Sequence, residues 1–402
     1  MAMKQTQTKL FDFSDVGLDF SAGSKNLFPD CFKKMLSLGY NVQTVTSVAV
    51  AGNQVTFTYG GAHGYAADRV LKVDSGSLSL INEGEFWIDS VTTNTVTITL
   101  DDAPISIVGG FMTRVASLGW SLVYEQSNIH IYKFKKIDDT DTYLRICYQT
   151  NMNQRNCMIV GVGDTVDLSL GVITDDRCMP LLAQAATVDQ DPSSYKWEFG
   201  GMANATHNSA TYGAGFETYG KAVVVGSKYH FLSMHNVWLD AANGNVCAVL
   251  PFHTSYSDLN VPAIIANAMG ATTGNIAYGD LLSNSSIISG RYICRGTPRE
   301  NRLLATNDIK ANFLPNAIET FNTTTTRPVF VYEGVTGQFV GVLYGINQAL
   351  YGVSTNAPSS LPSATPSQTI DVDASAITFV HVMSMSSTRV YFAVPVEEIK
   401  IV

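Results

Sequence analysis

Gly215-Phe216-Glu217-Thr218-Tyr219-Gly220-Lys221 has the glycine and lysine spacing of a loop that cradles phosphates. A working loop of that kind places Ser or Thr after the Lys to hold magnesium, and a helix follows with its amino end on the phosphate. Here Ala222 follows the Lys, and Val223-Val224-Val225 continues as a strand pattern. The stretch reads as a glycine-punctuated turn entering a hairpin, and ATP binding is not expected.

The histidines are His63, His130, His207, His230, His235, His253 and His381. His230 and His235 stand five apart on one predicted strand. Strand side chains alternate, so an odd separation puts them on opposite faces, where they cannot share a metal. Structural histidines are expected at each position. Asp138, Asp139 and Asp141 make an acidic turn, but a calcium loop also needs a Gly at its bend and a distal Glu. Neither is present at the right offset, and Asp101-Asp102 and Asp371/Asp373 are equally bare. All read as solvated turn carboxylates. Cys31, Cys147, Cys157, Cys178, Cys247 and Cys294 are scattered, without the close ligand pairs of a zinc site. Cys147 and Cys157 flank a polar turn and could meet across a hairpin. The preferred reading is six thiols acting as small buried hydrophobes.

No GxSxG elbow is present, and no Cys lies in a catalytic signature. Paired carboxylates that cleave glycosides meet in space rather than in sequence, so spacing leaves that activity unsupported. No catalytic, cofactor-binding or metal-ligating residue is assigned. No cofactor is expected, and the chain is expected not to be an enzyme.

The chain has 402 residues, with 25 Lys plus Arg against 34 Asp plus Glu, a net charge of −9. Only 15% of residues are charged, whereas about 25% is usual; Thr, Asn, Ser and Gly take their place. With 46% hydrophobic residues the chain is too apolar to be disordered. The acidic balance argues against wrapping nucleic acid, which needs clustered Lys and Arg. No apolar run approaches the roughly 20 residues that span a bilayer. The first 13 residues lack the charged-then-apolar layout of a signal peptide, so no secretion is expected.

Strand-period patterns recur every 8–12 residues with turn punctuation, which predicts a mainly β chain of several small antiparallel sandwich or barrel modules with a few short helices. Residues 1–39 form an N-terminal arm, in which Pro29-Asp30 opens a short helix with Phe28, Cys31, Phe32, Met35 and Leu36 on one stripe and Gly39 as its stop. Residues 40–110 form a small β module of about five strands, opened by a hairpin through Gly52-Asn53. Residues 111–353 form a larger antiparallel domain. Within it, strands are predicted near 120–124, 129–134, 143–148, 156–162, 222–225, 230–237 and 246–252, and later near 287–295, 328–332 and 338–343. A helix or covering segment is expected at 179–187 and a second short helix at 261–269, ended by Gly270. Residues 354–402 comprise a Ser/Pro-rich stretch, 354–369, and C-terminal strands near 377–382 and 389–394.

Leu118-Gly119-Trp120, then Tyr132, then Tyr143-Leu144-Arg145-Ile146 resembles a strand series of tailed-bacteriophage virion proteins. Residues 235–253, HNVWLDAANGNVCAVLPFH, resemble a later segment of the same proteins, and residues 60–100 resemble β modules inserted in tail and baseplate proteins. Together these cover about half of the chain. In size and composition it is similar to the non-contractile tail-sheath proteins of podoviruses with a giant virion RNA polymerase. The resemblance implies a structural protein of the virion tail, assembled in the host cytoplasm. It would be a sheet-rich sheath or adaptor subunit in a homo-oligomeric ring. The implied partners are other copies of itself, tail proteins such as the tube, and a host outer-membrane receptor during adsorption, with no nucleic acid and no membrane insertion. The exposed 60–65 and 354–369 loops are the candidates for receptor contact. A sparsely charged surface fits a protein whose faces are covered by neighbours. Two other readings stay open: a tail-associated glycan-binding or glycan-cleaving protein, and a head decoration or connector protein.

Overall fold

The computed structural model describes residues 8–18, 27–76, 80–150, 157–177, 184–190, 195–198, 222–236, 244–268, 287–289, 292–295, 324–333, 336–351, 376–382 and 389–396. The chain is mainly β, as its alternating pattern predicts, and its strands form four antiparallel sheets of twelve, seven, six and two strands.

The chain opens with β1 (Lys9–Asp12) and α1 (Phe28–Lys33). Pro29 occupies the first turn of α1, where a missing N–H costs nothing. The helix continues as one wider turn, Lys34–Leu38, in which the Gly39 N–H bonds back to the Lys34 carbonyl. Gly39 ends it at φ 74°, and a Cβ there would collide with the Val115 carbonyl oxygen. Phe28, Cys31, Phe32, Met35 and Leu36 are all buried, as their spacing requires.

A seven-stranded sheet follows. It comprises β2 (Tyr40–Ala51), β3 (Gln54–Tyr59), β4 (Val70–Asp74), β5 (Glu85–Trp87), β6 (Ser90–Val91), β7 (Thr95–Thr99) and β8 (Met112–Val115). The strand order is β5-β4-β8-β2-β3-β7-β6. Two strands exceed the five expected, because Glu85–Trp87 and Ser90–Val91 are separate strands and because β8 inserts between β2 and β4. β5 and β6 are consecutive in the chain yet lie at opposite edges, so the sheet bends around its core without closing into a barrel. The N-terminal arm is tied to this module by a buried ion pair. Arg69 grips Asp15 with two hydrogen bonds, Nε to Oδ2 at 2.8 Å and Nη2 to Oδ1 at 3.0 Å, and the Tyr40 hydroxyl adds a third at 2.7 Å.

Next come β9 (Ser121–Gln126), β10 (Ile129–Lys135), β11 (Asp141–Tyr148) and β12 (Cys157–Gly163), consecutive antiparallel neighbours as predicted. β13 (Val166–Asp167) and β14 (Val172–Ile173) form a small ribbon, and β15 (Tyr195–Glu198) extends the larger sheet beside β12. One face of that sheet carries Tyr132, Phe134, Leu144, Ile146 and Val160 into the main core. The other face is also covered. Arg145, 1% exposed, donates to the Gly171 and Ala185 carbonyls, and Asn128 donates to the Ala186 carbonyl. Residues 184–190 are therefore a covering segment, ending in a short 3₁₀ turn at Val188–Gln190.

The largest sheet is built from β1 and the late chain: β16 (Ala222–Ser227), β17 (His230–Asn236), β18 (Gly244–Leu250), β19 (Phe252–His253) and β20 (Ala263–Ile265). β21 (Asn267–Ala268) joins the six-stranded sheet, against β15. β22 (Ile287–Ser289), β23 (Tyr292–Arg295), β24 (Thr324–Glu333), β25 (Phe339–Tyr351), β26 (Ala376–Val382) and β27 (Arg389–Pro395) complete the large sheet. One face of β16–β18 packs with α1 and the six-stranded sheet, through Val224, Phe231 and Val249. The opposite face, Val223, Val225, Leu232 and Ala248, shares a second core with Val331, Leu343 and Phe392 from the far half of the same sheet.

The helix expected at 261–269 is not formed. Residues 263–268 are instead two short strands, β20 on the large sheet and β21 on the six-stranded one. A short apolar run cannot be assigned by period alone. Here the β-branched Ile264-Ile265 after Pro262 finds ladder partners in Val249 and Ala248, and pairing decides the outcome. Met269-Gly270 lies outside the described residues.

The twelve-stranded and six-stranded sheets meet at an aromatic junction. Phe32 of α1 lies 6.0 Å from the Tyr148 ring, 6.4 Å from Trp197 and 5.5 Å from Phe231, and Trp197 stacks on Phe231 at 5.3 Å. Both indoles cross the junction: Trp120 donates to the Ser227 carbonyl at 2.9 Å and Trp197 to the Ile265 carbonyl at 3.0 Å. Trp197→Phe removes the indole donor from a buried carbonyl and is expected to cost about 1–3 kcal/mol. Trp197→Ala, which also empties the space between Phe32 and Phe231, is expected to cost about 3–5 kcal/mol. Denaturant unfolding measures both; an Ala variant no weaker than the Phe variant would show that the rings do not carry the junction. Asp15→Ala strands the buried Arg69 guanidinium and is expected to cost about 3–5 kcal/mol in the same assay.

Candidate functional site

The chemistry-bearing residues of the sequence are dispersed. His63 lies beneath the 60–65 loop, where its Nδ1 accepts the Tyr65 N–H at 2.9 Å and its Nε2 donates to the Thr95 carbonyl at 3.1 Å. The Tyr65 hydroxyl reaches the Asn41 and Thr113 carbonyls, each at 2.9 Å. The interior of this candidate receptor loop is thus fixed polar core, and Gly60-Gly61-Ala62 is its exposed tip. His130 is buried beside the Tyr132 hydroxyl at 3.0 Å; burial pushes its pKa down to about 4, against a smaller opposing pull from Glu125. His230 is buried with Nδ1 on the Ser227 hydroxyl at 2.8 Å, and burial pushes its pKa down to about 3. All of His207, and the side chains of His235 and His381, lie outside the described residues. So do the 215–221 loop, the 354–369 stretch, Cys178, Asp371/Asp373 and the Cys294 side chain. Ala222–Ser227 is the strand predicted to follow that loop.

The acidic turn is held by its own partners rather than left bare. Asp138 accepts the Thr140 N–H at 3.0 Å, Asp139 takes Lys228 at 2.9 Å, and Asp141 takes Lys135 at 2.6 Å. These bonds hold all three carboxyls below the usual range. Cys147 and Cys157 lie together in a small core with Ile159 and Val188, and no disulfide joins them. Burial pushes the Cys147 thiol up to about 11, so it stays protonated. Among the described residues, no three of His, Cys, Asp and Glu gather closely enough to hold a metal ion. No helix among them is long and apolar enough to cross a membrane.

A cleft of about 210 Å³ opens where the twelve-stranded and six-stranded sheets meet. The β10–β11 turn supplies Lys136 and Asp138, and the β16–β17 turn supplies Tyr229. The segment after β18 supplies Pro251, Phe252 and His253, then Asn260 and Pro262; Tyr344 projects from β25. Backbone bonds from Lys135 N–H to the Lys228 carbonyl (3.0 Å) and from Tyr344 N–H to the Pro251 carbonyl (3.0 Å) hold these segments together. Tyr344 is placed by a large bulge. Pro328 and Val329, adjacent on β24, pair with Asn347 and Leu343, so Tyr344, Gly345 and Ile346 are extra residues on β25. Pro328 tolerates the break because it has no N–H to pair. Gly345 has φ 85°, Ile346 turns into the core, and Tyr344 turns out to face His253, with ring centroids 5.9 Å apart. Gly341 lets β19 lie against β25; a Cβ there would collide with the His253 carbonyl oxygen and the Phe252 ring.

The lysine of the cleft is compensated: Lys136 pairs with Asp164 at 2.9 Å, and Asp164 also takes Arg177 at 2.7 Å. Asp138 keeps its charge and holds Thr140 through one oxygen. The Asn260 amide, the His253 ring nitrogens and the Tyr344 hydroxyl make no hydrogen bond among the described residues. They remain available to a ligand. Sequence reasoning did not bring these residues together, since they come from four segments spread over about 200 positions. One local signal existed: a glycine beside Tyr344 inside a strand pattern marks a bulge.

A second feature is an exposed apolar face on the seven-stranded sheet. Val42 and Met112 are 51% and 48% exposed on its outer side, and Thr44, two residues beyond Val42, lies opposite Met112. Arg114 reaches from there to the carbonyl of Leu38, also exposed. Val108 and the fully exposed Ile105 lie on the preceding segment, which Gly109 seats against Thr46. The charges on this face pair with each other, Arg114 with Asp74 and Lys72 with Glu83.

The buried imidazoles make stability depend on pH. The unfolded chain takes up protons below about pH 6.5 that folded His130 and His230 refuse until about pH 4 and pH 3. Stability from each is complete above pH 6.5 and falls as pH drops toward the folded value, by about 1.4 kcal/mol per pH unit for each imidazole. Thermal unfolding should show a midpoint that falls between pH 6.5 and 4.5. A His130→Phe, His230→Phe variant should lose that part of the slope. An unchanged slope in the variant would remove these residues from the effect.

No family model matches the chain, and no curated protein matches it. Among solved structures the chain is similar to "Phage phi92 endosialidase", with 11% identity, a TM-score of 0.16, and coverage of 90% of this chain and 52% of that one. The chain thus spans about half the length of that protein. A score this low is no common fold, and the likeness assigns no residue a role.

Proposed function

We propose that this chain is a structural protein of a bacteriophage tail, a sheath or adaptor subunit that assembles with copies of itself in a ring around the tail tube. Its role is non-enzymatic: it holds the tail together and presents loops to a host outer-membrane receptor during adsorption. The strand series from Leu118 to Ile146 and the 235–253 segment support the reading by resemblance. The observation that carries it is the outer face of β2 and β8. Leu38, Val42, Val108 and Met112 offer apolar area there, while the neighbouring charges are spent on each other. Such a face is suited to a second copy of the chain. Ring symmetry would multiply a weak contact of this kind into a stable assembly.

Size-exclusion chromatography with light scattering on the purified chain is expected to give a multiple of the single-chain mass. Val42→Asp with Met112→Lys should return it to one chain without lowering the thermal midpoint, since both side chains are half exposed. A wild-type chain that stays monomeric and binds no other tail protein would overturn the proposal. Antibody labelling of intact virions should decorate the tail; label on the capsid would favour the head-decoration reading. Release of oligosaccharides from host surface polysaccharide would favour the glycan-cleaving one.

A further inference from the structure

We propose that the cleft between the β10–β11 turn and Tyr344 binds a single ring of a neutral saccharide. Three properties of the cleft point to this ligand. Its walls are aromatic and prolyl: Tyr229, Phe252, Tyr344, Pro251 and Pro262. Aromatic faces carry negative charge density and attract the polarised C–H bonds on the flat side of a pyranose. Its uncommitted polar groups both donate and accept. The Asn260 amide, the His253 imidazole and the Tyr344 hydroxyl make no hydrogen bond among the described residues, and together they can both give and accept, as sugar hydroxyls require. Its volume of about 210 Å³ lies below the roughly 300–1,000 Å³ of sites for drug-sized ligands, which suits one ring rather than a nucleotide.

Charge argues against an anion. An anionic sugar or phosphate needs an uncommitted cation, but Lys136 is held by Asp164 and Lys228 by Asp139. Asp138 holds Thr140 through one oxygen and is left to accept from a sugar hydroxyl through the other. A purely apolar ligand would bury the Asn260 and Tyr344 polar atoms without partners, which costs affinity.

The site is also built rather than incidental. The three-residue bulge has one visible product at the surface, the outward placement of Tyr344. Gly341 permits the close approach that sets His253 beside it. The inference stands on the cleft alone and does not require that the chain belong to a tail.

Saturation-transfer NMR on the purified chain tests it with methyl glycosides of glucose, galactose and mannose. Glucuronic acid serves as the charged probe and cyclohexanol as the apolar one. Transfer to the ring C–H protons of at least one neutral glycoside is expected. Affinity should be about tenfold weaker in Asn260→Ala and in Tyr344→Ala, the worth of a hydrogen bond or a ring contact. Asn260 is exposed, so its variant should keep the wild-type thermal midpoint. No transfer to any neutral glycoside, equal transfer to cyclohexanol, transfer to glucuronic acid alone, or unchanged affinity in both variants would each overturn the proposal.

Discussion

The packing of Phe32 against Trp197 and Phe231 is the contact on which the remaining architecture depends. A six-residue helix has little stability of its own and forms because its apolar stripe is buried. Once seated, Phe32 touches Tyr148 and Trp197 of the six-stranded sheet and Phe231 of the twelve-stranded one. Trp120 and Trp197 then spend their indole N–H groups on carbonyls of the opposite sheet, so each ring gives the junction area and direction together. Without this contact the sheets would share one fewer layer, and β20–β21, which runs from one sheet to the other, would have no fixed span to bridge.

The cleft follows from that junction. Its lining comes from turns of both sheets, and these turns face each other only because the sheets are locked behind them. The paired charges around it, Lys136 with Asp164 and Lys228 with Asp139, tie turn to turn. The seven-stranded sheet is attached differently. Its ties to the N-terminal arm include two ion pairs, Arg69 with Asp15 and Lys9 with Glu85. Burial lowers the Lys9 pKa, and Glu85 opposes the shift.

Local structure was legible wherever a short pattern decides it. Gly52-Asn53 between alternating runs announces the β2–β3 hairpin, and Pro29 and Gly39 bracket the helix. The misreading at 261–269 marks the limit of pattern. Ile264 and Ile265 satisfy either period, and only the ladder on Val249 and Ala248 makes them strand. Sheet order was not legible at all, since nothing near Lys9 or Leu10 names Gly226 and Val225 as partners. The cleft was hidden for the same reason. Asn260, His253 and Tyr344 are ordinary residues until a bulge and a close approach of backbones set them face to face.

The pairing of β1 with β16 also orders events in time. Asp12 lies opposite Val223, about two hundred residues later in the chain. Synthesis at about 5–20 residues per second separates the two strands by roughly 10–40 s. Through that interval β1 leaves the ribosome without its partner, carrying Leu10 and Phe11, both buried in the finished protein. Contacts this distant slow folding, because loop closure is paid before any contact rewards it. β1 is thus among the last strands to be placed, and a growing chain carries an unpaired edge that a chaperone, or a neighbouring chain on the same message, can reach first.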